Sequence, residues 1–152
     1  MPTVFFQEPE ETELEAAQRK VAELEAELGP EHPDVATSLN NLASLLKAQG
    51  SYAEARPLYE RSLAIREKAF GSEHPKVAAS LNNLALLLKA QGSYAEARPL
   101  YEQGLRGTLN HLSRNMRSMT EAERFRYLAT KKGPEPLLLN LVAMRGEGPE
   151  KN

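Results

Sequence analysis

Apolar residues recur every three to four positions through two long stretches of the chain. At 100° per residue, Val35, Leu39, Leu42 and Leu46 fall within about 60° of one another, as one face of a helix does. Thr37, Asn40, Asn41, Ser44 and Lys47 fall on the opposite side. The same pattern returns as Val77, Leu81, Leu84 and Leu88, set against Ala79, Asn82, Asn83, Leu86 and Lys89. Turn signals bound each stretch. Pro33 and Pro75 suit a first helical turn, and Gly50 and Gly92 sit where a left-handed residue closes a helix. A second helix follows each turn, with Ser51 and Ser93 placed to cap it. The first of these is predicted to run to about Phe70 and stop at Gly71; the second continues past Leu105. Pro57 and Pro99 lie about six residues into these helices, where proline removes a donor and crowds the preceding turn. A bend or a loosened first turn is expected at both, not a break.

The two units are nearly identical. Residues 29–63 and 71–105 match at 29 of 35 positions with a constant offset of 42. A period of this size means stacked supersecondary units, none of which can bury its apolar face alone. Ala43, Ala55, Ala85 and Ala97 would let helices approach closely. Tyr52, Tyr59, Tyr94 and Tyr101 are large enough to fill space between units. The register extends backwards: residues 10–28 place Val21 on Leu63 and Leu28 on Phe70, as a degenerate half-repeat helix covering the first unit. The expected division is a disordered stretch 1–9, the half-repeat 10–28, repeats at 29–70 and 71–112, a helical cap at 113–145 and a disordered tail 146–152. Within the cap, Thr120 and Glu123 have capping-box spacing, Phe125, Tyr127 and Leu128 continue a helix, and Gly133-Pro134 ends it. A short apolar helix at 135–145 completes the cap.

Charge and chemistry narrow the function classes. The 152 residues carry a net charge of −2 and no cysteine. No global attraction to nucleic acid or an anionic surface is implied, and disulfides, thiolate metal sites and cysteine nucleophiles are excluded within the chain. Charge is uneven: residues 1–33 hold nine acids and two bases, and residues 106–132 hold seven bases and two acids. Solvated helix faces account for this, although two copies could pair head to tail. The start MPTVFFQEPEE lacks the flanks of a signal peptide, and the run Leu137 to Met144 falls short of the ~20 residues of a membrane span. The expectation is a soluble, cytoplasmic protein without membrane or nucleic-acid partners. His32 and His74 read as helix-entry residues, and no nucleotide, hydrolase or metalloprotease motif occurs. The basic segment Arg114, Arg117, Arg124, Arg126, Lys131 and Lys132, with Phe125 and Tyr127 between, reads as cap surface. No cofactor, metal or enzymatic activity is expected.

The LNNLA and KAQGSYAEA motifs, kept at a constant period, resemble the tetratricopeptide repeat. They are most similar to the 42-residue variety of kinesin light chains and bacterial repeat arrays, with its HPxVAxSLNNLA and YxEAxPLYxRxL signatures. The resemblance implies an all-α, right-handed superhelical solenoid of antiparallel hairpins. It also implies a concave face, lined by the first helix of each pair, that takes a peptide or partner protein. Carried over by position, that face holds Thr37, Asn40, Asn41, Ser44 and Lys47, then Ala79, Asn82, Asn83, Leu86 and Lys89. An asparagine amide offers donors and an acceptor to an extended backbone whatever its side chains; alternatively, one asparagine of each pair bonds to a neighbouring helix. Leu86 in place of Ser44 hints at an apolar pocket. Only Lys47 and Lys89 are basic there, at the groove edge, which argues against capture of a terminal carboxylate. Residues 108–142 resemble the stretch before caspase-like CHAT domains in bacterial repeat proteins. Two rival functions follow: a regulatory or truncated part of such a protease system, and a structural module self-associating through incomplete solenoid ends.

Overall fold

The computed structural model describes residues 10–123 and 126. Their long helices are α1 (Glu13–Leu28), α2 (Pro33–Ala48), α3 (Tyr52–Phe70), α4 (Pro75–Ala90) and α5 (Tyr94–Met116), followed by the start of a further helix at 121–123. Among the described residues there is no strand, and no helix is long and apolar enough to cross a membrane. Each helix packs on the next, most extensively within the hairpins α2/α3 and α4/α5. The helix over 120–123 begins at the expected capping box, in which Thr120 and Glu123 bond reciprocally. The expected elements at 1–9, 127–145 and 146–152, and Phe125, lie outside the described residues.

Local chemistry sets these boundaries. At the start of α2 and α4 the imidazole Nδ1 of His32 and of His74 accepts from the backbone N–H two residues on, at 3.1 Å in both. With proline at the first helical position, each entry satisfies one orphan amide and dispenses with another. Gly50 and Gly92 adopt φ of 79° and 77°, and the next amide reaches back to Leu46 O at 2.9 Å and Leu88 O at 2.8 Å. This closes α2 and α4 as the sequence pattern requires. Ser51 and Ser93 depart from expectation. Each precedes its helix, but neither makes a side-chain cap bond. Their ψ of 59° departs from the extended geometry that aims a cap hydroxyl at the first turn. Helices α3 and α5 pass through Pro57 and Pro99 without interruption, with both prolines exposed.

The predicted apolar stripes form the core. Val35, Leu39, Leu42 and Leu46, with Val77, Leu81, Leu84 and Leu88, are all at most 6% exposed. Each such side chain contributes roughly 1.5–3 kcal/mol, so these eight outweigh exposed ion pairs such as Arg98–Glu102, which contribute little. Ala43, Ala55, Ala85 and Ala97 are fully buried, where the absence of longer side chains permits close helix approach. Tyr59 and Tyr101 fill the interior. Tyr52 packs against the core, whereas its repeat counterpart Tyr94 is 44% exposed. No further hairpin covers Tyr94 among the described residues. Helix α1 covers α2 with Val21, Leu14, Ala17 and Leu24, and Arg61 of α3 secures the covering helix by pairing with Glu25 and donating to Pro30 O.

Two of the six positions that differ between the repeats alter the interior. Ser62 donates to Ala36 O at 2.6 Å; its counterpart is Gly104. The nearby Ser44 hydroxyl partly offsets the upward push that burial gives the Tyr59 pKa. Leu86 replaces Ser44 in the second repeat, and the Tyr101 hydroxyl is buried without a partner. Burial pushes the Tyr101 pKa up to about 12.

These contrasts generate two stability predictions. Tyr101→Phe removes an unsatisfied hydroxyl and leaves stability unchanged or raises it by up to about 1 kcal/mol, whereas Tyr59→Phe lowers it by about 0.5–1 kcal/mol. Urea unfolding of both variants decides this; equal losses would contradict the assigned partners. Gly50→Ala introduces no clash, since nothing lies within 4 Å of an added Cβ. It nevertheless destabilises by about 1 kcal/mol because of the left-handed backbone, which the same unfolding measurement tests.

Candidate functional site

The first helices of the two hairpins, α2 and α4, bring the sequence-predicted polar residues together along one seam. At its centre Asn83 Nδ2 donates to Asn40 Oδ1 at 2.9 Å. These asparagines are not repeat counterparts: Asn40 corresponds to Asn82, and Asn41 to Asn83. The bond therefore joins non-equivalent positions across the junction. It commits one donor of Asn83 and one lone pair of Asn40 to holding α2 and α4 in register. The alternative role of an asparagine bonding to a neighbouring helix thus applies to Asn40 and Asn83.

The remaining positions differ in exposure. Thr37, Asn41, Ser44 and Ala79 are exposed; Lys47, Asn82, Leu86 and Lys89 are half-buried. Thr37 Oγ1 donates to Pro33 O at 3.3 Å, and the Ser44 hydroxyl lowers the pKa of nearby Tyr59. Leu86 packs on the core. The seam is consequently polar along Thr37, Asn40, Asn41, Asn82 and Asn83, with an aliphatic step at Leu86.

One residue of this seam comes from a helix that the sequence pattern had assigned elsewhere. Arg66 of α3 is 8% exposed and passes its guanidinium between α2 and α4. Nη1 donates to Ser80 Oγ at 2.8 Å and to Lys76 O at 3.4 Å, and Nη2 donates to Thr37 Oγ1 at 3.3 Å. Nε is buried without an acceptor. Burial in the absence of a carboxylate pushes the Arg66 pKa down. A sequence signal existed: Arg66 lies at helical spacing from Tyr59 and Ser62, on the buried stripe of α3, where a charge is out of place.

A second cluster lies on the turn between α3 and α4. The His74 ring stacks on Phe70 at 4.6 Å between centroids and meets His111 edge-on at 6.3 Å. Burial, His111 and Lys76 together push the His74 pKa down. Glu73 accepts from Asn110 at 2.9 Å and pairs with Arg114. Glu31 and Lys68 make the corresponding clamp in the first repeat at 2.7 Å. No group of three or more His, Cys, Asp or Glu among the described residues could hold a metal ion. Arg124, Phe125, Tyr127, Lys131 and Lys132 of the basic segment lie outside the described residues, as does much of the stretch that resembles the CHAT-preceding region.

Known proteins agree with this architecture. The family model described as tetratricopeptide repeat matches residues 12–68 and 34–109. No curated protein matches the chain. Among solved structures, a protein of Podosopora anserina described as a kinesin light chain with nearly identical repeats aligns at 27% identity. That alignment spans 91% of this chain and 68% of that one, with a TM-score of 0.56. BtubC (BKLC) of P. vanneervenii aligns at 21% identity over 91% of this chain and 59% of that chain, with a TM-score of 0.59, a likeness of fold. Through these repeats, stacked as two hairpins behind a covering helix, the chain belongs to the tetratricopeptide repeat family.

Proposed function

We propose that the chain is a non-catalytic interaction module that binds an extended peptide segment or partner protein along the α2/α4 seam. Tetratricopeptide repeats generally mediate protein–protein interactions, and their proteins are typically scaffolds. The observation that carries the finer reading is the line of amides from Asn41 to Asn82, with its rungs fixed by the Asn83–Asn40 bond. Side-chain amides held by a rigid pair of helices can hydrogen-bond a peptide backbone without selecting its side chains. Rigidity lowers the entropy lost on binding.

A second reading, self-association through the solenoid ends, draws on the C-terminal end, where Tyr94 is 44% and Leu109 48% exposed on α5. Sedimentation velocity across a concentration series separates the two. Dimerisation abolished by Leu109→Glu would favour self-association, and a monomer at all concentrations would exclude it.

The peptide reading has its own test. Phage-displayed peptides selected on the wild-type chain should bind an Asn41→Ala/Asn82→Ala variant at least about tenfold more weakly, the equivalent of 1.4 kcal/mol, with helicity by circular dichroism retained. Unchanged affinity in that variant would remove the seam as the binding surface. Asn83→Ala is expected to lower stability as well, because it releases the bond to Asn40.

A further inference from the structure

We propose that His74 makes the joint between α3 and α4 responsive to acid: the neutral ring caps α4, and the protonated ring releases it. Nδ1 of His74 accepts from the Lys76 amide at 3.1 Å, so the neutral ring carries its proton on Nε2. A second proton has only Nδ1 to occupy. It turns the acceptor into a donor facing another donor, so the cap and the charge exclude each other. The same turn ties α4 to both of its neighbours. Glu73, one residue earlier, accepts from Asn110 of α5 at 2.9 Å and pairs with Arg114. Lys76 O accepts from Arg66 of α3 at 3.4 Å. Release of the α4 entry therefore slackens its hold on α3 and α5 together.

The first repeat holds the contrast. His32 caps α2 through the Asp34 amide, also at 3.1 Å. A protonated His32 loses that bond but keeps an acid at hand, since Asp34 Oδ2 lies 3.7 Å from Nδ1. The counterpart of Asp34 is Lys76, and the first turn of α4 has no acidic residue. The charged and titratable groups around His74 are Arg66 from α3, Lys76 from α4, His111 and Arg114 from α5, and Glu73 on the turn. The one acid among them, Glu73, is already engaged by Asn110 and Arg114. The positive end of the α4 dipole further disfavours a cation there. Phe70 stacks on the His74 ring at 4.6 Å, and Lys76 Nζ lies 4.8 Å from the centre of the same Phe70 ring. A cavity of about 420 Å³ beside His74, lined also by Ser72, Glu73, His111 and Arg114, gives a released ring room to turn. Burial, then His111 and Lys76, push the His74 pKa down. An opened turn thus takes up the proton first, near the ordinary histidine value of about 6.5. The stability that the neutral cap supplies is full above that value and is lost as pH falls through the folded-state pKa.

The test follows the full chain between pH 7.5 and pH 5.5. Long-range 1H–15N spectra of its three histidines should place the His74 proton on Nε2 at the upper pH. Amide-exchange protection, corrected for intrinsic rates, should fall at Lys76, Val77 and Ala78 by up to about tenfold, the factor by which one pH unit below the ordinary histidine value favours the protonated, opened turn. Asp34, Val35 and Ala36, at the α2 entry, should change by less than about twofold. His74→Asn caps a helix without titrating in this range and should abolish the response at α4. Lys76→Asp restores the arrangement of the first repeat and should shrink the response with the histidine kept; if His74→Asn does not fold, this variant decides alone. A His74 proton found on Nδ1, equal responses at the two helix entries, or a response undiminished in either variant that folds would overturn the proposal. None of these readouts involves a ligand, so the outcome is separate from that of the peptide-binding test.

Discussion

The chain folds because neither hairpin can hide its apolar surface by itself. Val35, Leu39, Leu42 and Leu46 supply one layer and Val77, Leu81, Leu84 and Leu88 the next, all nearly inaccessible to solvent. The fully buried alanines of all four repeat helices let the layers approach, and Tyr59 and Tyr101 occupy the space that remains. Nearest-neighbour burial of this kind makes stability a sum of unit and junction terms. It also sets α2 and α4 side by side, joined by the Asn83–Asn40 bond and by Arg66.

That seam holds two distinct junction devices. The Asn83–Asn40 bond is neutral and sets register. Arg66 is charged, buried and matched only with neutral acceptors. Replacing a buried polar residue by an apolar one of similar shape is often neutral for stability, so packing alone gives little reason for a cation there. The inverse arrangement on the surface, where exposed arginines find acids, sharpens the contrast.

Much of this was legible from spacing. Helix positions followed from Pro33, Gly50, Gly71 and Gly92 because those residues act on the local backbone, and the stripes followed from a 3.6-residue period. What a helical wheel cannot encode is how far one helix slides along another. The pairing of Asn40 with Asn83, not with its counterpart Asn82, depends on that axial offset. Arg66 was missed for a related reason: a long side chain on α3 reaches a seam made by two other helices. Ser51 resembled a cap, but the preceding glycine turn fixes a ψ that denies it the bond, while His32 and His74 take that role one turn signal earlier. Tyr94 departs from its counterpart because no further hairpin packs on it among the described residues.

The offset between Asn40 and Asn83 gives the array a direction. A rung forms only when the earlier unit supplies the acceptor and the later one the donor, and Arg66 clasps forward onto Ser80 in the same sense. Gene duplication would therefore lengthen this chain most readily by copying the leading unit ahead of the trailing one. Each added copy would bring a complete joint, whereas a copy of the trailing unit would arrive with Thr108 where the clasp belongs.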